Sequence, residues 1–412
     1  MTIDTLAQHE AHPWFDVHND VLNVGGFPIP KLAERAGGRA FYVYDSSVMT
    51  RKVRELRDAL PQSIKLHYAI KANSMPAVVR HFSSLVDGLD VASAGEMAVA
   101  LDTGMAPEVI SFAGPGKSDA ELARACDAGV TVNVESVREL ERLADLSSRS
   151  SRRVRVAIRV NPDFELKTSG MKMGGGPKQF GIDAEIVPDV LRSMRRLPLT
   201  FHGFHIFSGS QNLRPEAIVE AQQKSFALAI TLAQHAPSPV RSLNLGGGFG
   251  IPYFPGERSL DLKPIAENLA GIVERARKEF PESELVLELG RYLVGESGVY
   301  CCQVIDRKVS RGHVFLVTNG GLHHHLAASG NFGQVLRKNY PVLIANRVRG
   351  DAREVASVVG PLCTPLDLLA DRMDLARADV GDWVAVLQSG AYGLSASPTS
   401  FLSHPPPAEL FV

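Results

Sequence analysis

Long apolar runs are missing. No stretch of the 412 residues approaches the ~20 consecutive apolar residues of a membrane span, and the opening MTIDTLAQHEAHPWFD lacks the apolar core of an export signal. Cysteine is scarce: Cys126, Cys301, Cys302 and Cys363 lack zinc-type spacing and are too few for a disulfide framework in a chain this long. A reducing, cytoplasmic setting is expected. Net charge is missing as well. With 44 Lys+Arg against 45 Asp+Glu, no broad electrostatic pull toward nucleic acid or an anionic membrane is expected, so an anionic ligand has to be met by a local site. Repeats and low-complexity tracts are absent too.

What is present is alternation. Short apolar runs at 64–71, 88–93, 109–114, 130–135, 154–161, 200–207, 242–247 and 285–290 read as strands, separated by patterns such as SVRELERLADL in which apolar residues recur three or four apart. Eight strand-and-helix units predict an α/β chain built on a (β/α)8 TIM barrel, with a doubly wound open sheet as the alternative. The barrel is expected over 37–297. Beyond it, VFLVTN, EVASVVG and DWVAVLQSGAY predict a mostly antiparallel β domain with one short helical pattern near LDLLADRM, to which residues 1–36 add a strand. KTSGMKMGGGPKQFG (167–181) reads as a loop inserted over the strand ends.

In such a barrel reactive groups collect at the C-terminal strand ends. Those ends carry Lys71, Asp90, Lys117, Glu135, Arg159, Asn161, His205, Ser208, Gly247, Gly248, Glu288 and Arg291. The run LNLGGGFG follows the seventh strand, where glycine backbone N–H groups can approach a phosphate. A lysine for an aldehyde, donors for a phosphate and a carboxylate for a ring nitrogen form the set that pyridoxal 5'-phosphate requires. Lys71 is the amine, Glu288 the acid.

YAIKAN, DVASAGE, GPGKSD, RVNP, GFHIFSGSQ, LNLGGGFG, ELGRY, GPLCTPLD and SGAYG stand in the order found in the fold-type III pyridoxal phosphate enzymes. The chain resembles their ornithine and diaminopimelate decarboxylase family over roughly residues 37 to 405. The resemblance implies an alanine-racemase-like barrel in which Lys71 forms the Schiff base, His205 stacks on the ring and Glu288 pairs with its nitrogen. Ser208, Gly247, Gly248, Arg291 and Tyr392 then hold the phosphate, Asp90 and Arg159 support the lysine side, and Gly290 completes the cofactor set. Cys363 resembles the family cysteine that enters a neighbouring subunit's site and returns a proton after CO2 leaves. A head-to-tail homodimer with composite sites is therefore expected. A racemase is the alternative that Glu288 opposes, since the related racemases place an arginine there.

The substrate-reading positions depart from the better-known branches. Cys363 is followed by Thr364 and Pro365, and Asn319-Gly320 stands where the family commonly has Asp-Gly. Two carboxylates suited to a distal ammonium are thus missing, and leaving that ammonium buried and unpaired costs several kcal/mol, on the order of 3–5. Free ornithine, lysine or diaminopimelate becomes the alternative substrate. MKMGGGPKQFG, GGLHHH, NYP and FLSHPPP resemble a branch that decarboxylates amino acids attached to something larger, such as a glutamyl thioester on an acyl carrier protein or a citryl conjugate. Arg337 (or Lys338), Thr364 and Tyr392 are the candidate substrate residues. His323, His324 and His325 are expected to bind no metal, because neighbours on a strand face opposite ways and no acidic or Cys ligand is close in sequence.

Overall fold

Eight parallel strands close on themselves. In the computed structural model, which describes residues 8–150, 153–164, 171–172, 175–334 and 336–412, they are Ile64–Ala69, Gly88–Val91, Ile110–Phe112, Thr131–Val134, Val154–Asn161, Leu199–Ile206, Ser242–Gly247 and Glu284–Leu289. Each pairs with the next, and the eighth returns to the first with Glu288 opposite His67. All eight lie where the apolar runs predicted them. Adjacent parallel strands need a crossover, and the helices that supply it begin in a repeated way. Ser93 accepts from Glu96 N, Ser118 from Glu121 N and Ser136 from Glu139 N, each cap stabilising its helix by about 1 kcal/mol. The second of these is a full capping box. On Val137–Arg149 the buried Leu140, Leu143, Ala144 and Ser147 form one stripe, as an amphipathic helix over a sheet requires.

The described residues divide into two compact units, one from Met1–Arg51, Ile251–Ser259 and Arg291–Val412, the other from Lys52–Gly250 and Leu260–Gly290. The barrel belongs to the second. The first unit is organised around the long strand Gly298–Ser310, which pairs antiparallel with Phe41–Tyr44, His313–Thr318 and Trp383–Val386. Its sheet is mixed rather than purely antiparallel. His313–Thr318 runs parallel to Arg353–Val359, and Ala408–Phe411 runs parallel to Phe41–Tyr44. A core of Phe41, Val43, Val299, Cys301, Trp383 and Ala385 fills one face.

Two expectations change. LDLLADRM is no helix: Leu368–Ala376 is a strand paired antiparallel with Arg353–Val359, because cross-strand partners outweigh the weak helical preference of its leucines. His323 and His324 lie on a turn and His325 just beyond it, none on a strand, so the alternation argument against a metal does not apply to them. His324 instead meets Tyr300 Oη and the Pro405 carbonyl, and His325 meets Ser389 Oγ, all in the interior. Among the described residues no helix is long and apolar enough to cross a membrane.

Candidate active site

The first barrel strand ends in a single 3-10 turn, Ile70–Ala72, and that turn swings Lys71 off the sheet. Its Nζ comes 3.9 Å from Glu288 Oε1 and 5.7 Å from the centroid of Phe207. Glu288 stands on the eighth strand, adjacent to the first by closure of the ring. His205, near the end of the sixth strand, brings Nε2 to 3.0 Å from Glu288 Oε2. Three residues far apart in sequence therefore meet. Burial pushes the Glu288 carboxyl up, but the His205 ring, then Lys71 and Arg159, outweigh it and hold the group well below the usual carboxylate range. Glu288 is an anion at any ordinary pH.

Several buried polar atoms here are left over. Among the described residues, His205 Nδ1, Asp90 Oδ2 and Ser208 Oγ find no hydrogen-bond partner. Native interiors satisfy most such atoms, so the site is built for something polar. At the seventh strand end Gly248 has φ +76°, and a Cβ there would lie 2.2 Å from the Gly209 carbonyl. Only glycine permits that close approach. Orphaned Ser208 lies in this same turn region, where Met171–Lys172 also pairs its backbone with Gly209–Ser210. An amine, an anion, a flat ring and a glycine-lined cradle together suit a molecule with an aldehyde, a basic ring nitrogen and a phosphate.

Arg159 and Asp90 are each held by partners that the sequence did not assign. Arg159 Nη1 donates to Glu135 Oε1 at 2.7 Å, and the same carboxylate accepts from Gly114 N and Gly181 N. Residues 167–170, 173 and 174 of the predicted 167–181 loop lie outside the described residues; its C-terminal end is tied down by this contact. Lys117, also at a strand end, is a buried strut between Glu139 and the Gly114 and Asn133 carbonyls. Asp90 Oδ1 accepts from Ser111 Oγ and faces His67 Nδ1 at 3.3 Å.

His67 was missed because a histidine inside a strand looks like any other strand residue. Burial alone pushes its imidazole down, but Asp90 beside it, with Glu288 and Asp87 beyond, outweighs that and raises the group above its ordinary value. A raised histidine stabilises the fold fully below the unfolded value near ~6.5 and loses that contribution as pH climbs through the folded one. Wild-type protein is therefore expected to lose melting temperature between pH ~6 and ~8 more steeply than His67→Phe does. Parallel thermal-shift profiles for the two proteins would refute the coupling.

The other unit carries the remaining candidates except Gly290, which ends the barrel unit. Arg291 Nη1 donates to Tyr253 Oη at 2.9 Å, and its guanidinium lies 4.7 Å from the Tyr392 ring centroid. Tyr392 holds φ +53°, a strained backbone for a bulky side chain and one that concentrates at functional positions. Tyr253 received no role from the sequence, although it stands three residues after the glycine run. Cys363 is exposed, whereas Cys126, Cys301 and Cys302 are buried. Its loop is clamped by the buried Asp367 carboxylate, which accepts from Leu322 N at 2.6 Å and Leu362 N at 2.8 Å. Thr364, half-buried in the same loop, accepts from Leu366 N through its hydroxyl. Arg337 donates to the Ser329 and Leu368 carbonyls. Asn319 spends its amide on Gln303 N and the Gly38 carbonyl and brings no charge. Gly290 packs against Ala69 and Ala72, where an added Cβ would sit 3.0 Å from the Ala72 side chain.

Residues 46–295 match the family model described as "Pyridoxal-dependent decarboxylase, pyridoxal binding domain". The chain is 39% identical over 376 residues, 90% of its length and 88% of the relative's, to the L-glutamyl-[BtrI acyl-carrier protein] decarboxylase of Niallia circulans. It is 31% identical, covering 93% of itself and 96% of the relative, to the 2-[(L-alanin-3-ylcarbamoyl)methyl]-2-hydroxybutanedioate decarboxylase of Staphylococcus aureus. A solved structure of diaminopimelate decarboxylase from Helicobacter pylori complexed with L-lysine superposes with a TM-score of 0.82 at 26% identity, over 93% of this chain and 94% of that one.

Proposed function

The chain belongs to the pyridoxal-dependent decarboxylases, and on that premise we propose that it releases CO2 from an amino acid carried on a larger group, a glutamyl thioester of a carrier protein being the leading form. The relative that shares 39% of its residues is named for that substrate, and this observation carries the reading. Asn319 and Thr364 agree with it, since neither supplies the anion that a free distal ammonium needs.

Pyridoxal 5'-phosphate, when bound, supplies an electron sink for the pair left behind as CO2 departs. Lys71 would hold its aldehyde carbon, and the ionised Glu288 would keep a proton on the ring nitrogen it faces, which lets the ring accept charge. His205 would cover one ring face. Ser208 Oγ and the backbone N–H groups at Gly247 and Gly248 would take the phosphate, with Arg291 and Tyr392 contributing. Arg159, fixed by Glu135, and Asp90, fixed by Ser111 and His67, would set the charge around Lys71. Cys363 would protonate the substrate carbon in the site of a second copy of the chain, the homodimer being part of this reading; an exposed thiol on a clamped loop suits that task.

The test is a mass-spectrometric comparison of glutamate free, citryl-linked and loaded on an acyl carrier protein, scored by loss of CO2. The carrier-bound form should exceed free glutamate, ornithine, lysine and diaminopimelate in kcat/KM by about 10²-fold or more, because binding energy from the remote part is used at the reacting carbon. Equal or faster turnover of a free diamino acid would return the enzyme to the free-substrate class.

A further inference from the structure

The unit that carries Arg291 also contains a groove of about 700 Å³, of whose lining only the candidate substrate residues Arg337 and Lys338 have been given a role above. Arg337, Lys338, Arg353 and Arg372 line it together with Asp371 and Asp374. Four cations against two carboxylates is a local excess in a chain whose formal net charge is -1. The two acids are engaged with groove arginines, Arg353 to Asp374 at 2.9 Å and Arg372 to Asp371 at 3.5 Å. Both pairs are solvent-exposed, so they are weakly held and can be exchanged for a partner's carboxylates at little cost.

The wall is built to hold this shape. Asn339 clamps Asp371 by two backbone hydrogen bonds, and the pairing of Leu368–Ala376 with Arg353–Val359 shifts register beside it. At that shift Arg372 adopts φ +44°, with its N–H held by Ser357 Oγ. A long side chain in the left-handed region costs stability, and bulges of this kind re-aim side chains near functional sites. Arg337 is pinned by two carbonyls, and its Nε has no hydrogen-bond partner among the described residues. Behind its wall lie packed aromatic rings. Lys338 Nζ lies 5.6 Å from the Phe254 ring, Phe254 and Tyr253 both pack on Tyr340, and Tyr253 accepts from Arg291.

We propose that this groove docks the acidic face of the carrier protein that bears the substrate. The inference rests on the carrier-bound substrate proposed above. Opposite charge speeds such encounters and fixes their register. A small free amino acid has no use for a basic groove of this size.

The test uses the pyridoxal-loaded enzyme carrying Arg353→Glu with Arg372→Glu, assayed on a glutamyl thioester of an acyl carrier protein and on the same glutamyl group attached to a short pantetheine thioester. The kcat/KM for the protein-borne substrate should fall by about 30-fold or more and lose its salt sensitivity, while the short thioester stays within about twofold. An equal effect on both substrates, or none on either, overturns the docking role. Arg372→Gly relieves the left-handed strain and should hold or raise the melting temperature while weakening carrier binding, which separates docking from folding. Calorimetric titration with unloaded, phosphopantetheine-bearing acyl carrier protein reads the groove without any turnover. Binding abolished by the double charge reversal supports the groove even where the glutamyl thioester proves to be the wrong substrate; binding unaffected by it refutes the groove.

Discussion

Lys71→Ala is expected to lower CO2 release by at least about 10³-fold, since the residue would supply the nucleophile without which the cofactor is only loosely held. The same variant should lose the absorbance that a lysine-bound pyridoxal group gives at the visible edge, and borohydride should no longer label the peptide containing residue 71. Folding should survive. The side chain is 43% exposed on a surface turn, and substitutions in such places usually change stability by no more than about 0.5 kcal/mol. A correctly folded variant that still releases CO2 at the wild-type rate would remove the assignment and most of the mechanism with it.

Glu288→Gln tests the opposite end of the site. It keeps the shape and removes the charge, so kcat should fall by about 10² to 10³, the size seen when a preorganised electrostatic partner is lost. A second readout needs no turnover. A carboxyl held below its ordinary value stabilises the fold above the unfolded value near ~4.3, and that contribution disappears as pH falls through the folded one. Wild type should therefore lose stability on acidification more steeply than Glu288→Gln, which has no such group to protonate. A variant with kcat within about threefold of wild type would show that the ring nitrogen does not depend on this carboxylate.

The barrel was legible because its signals are local. Apolar runs of strand length, Ser-x-x-Glu caps at Ser93, Ser118 and Ser136, and Gly129 with φ +78° after Asp119–Ala128 each state their structure within a few residues. Lys71, His205 and Glu288 were legible for a related reason: polar residues at the C-terminal ends of barrel strands must converge once the ring closes. What escaped depends on partners distant in sequence. Nothing beside His67 announces Asp90, and nothing beside Glu135 announces Gly181. The leucines of LDLLADRM carried no sign that Arg353–Val359 would lie alongside them. Nor does any sequence pattern reveal that an arginine sits in a left-handed bulge, because that conformation is imposed by the register shift around Ser357 and not chosen by the residue.

Closure of the first strand onto the eighth, with His67 opposite Glu288, also dictates an order of events during synthesis. A growing chain that has made seven strands has an open sheet with two bare edges, and its lysine has no acid beside it. Such edges are sticky, and pairings this distant in sequence form slowly. Vitamin capture must then be among the last steps of maturation, and starving cells of vitamin B6 should lower the yield of soluble chain as well as its activity, because a ligand that binds only the completed ring draws the population toward it.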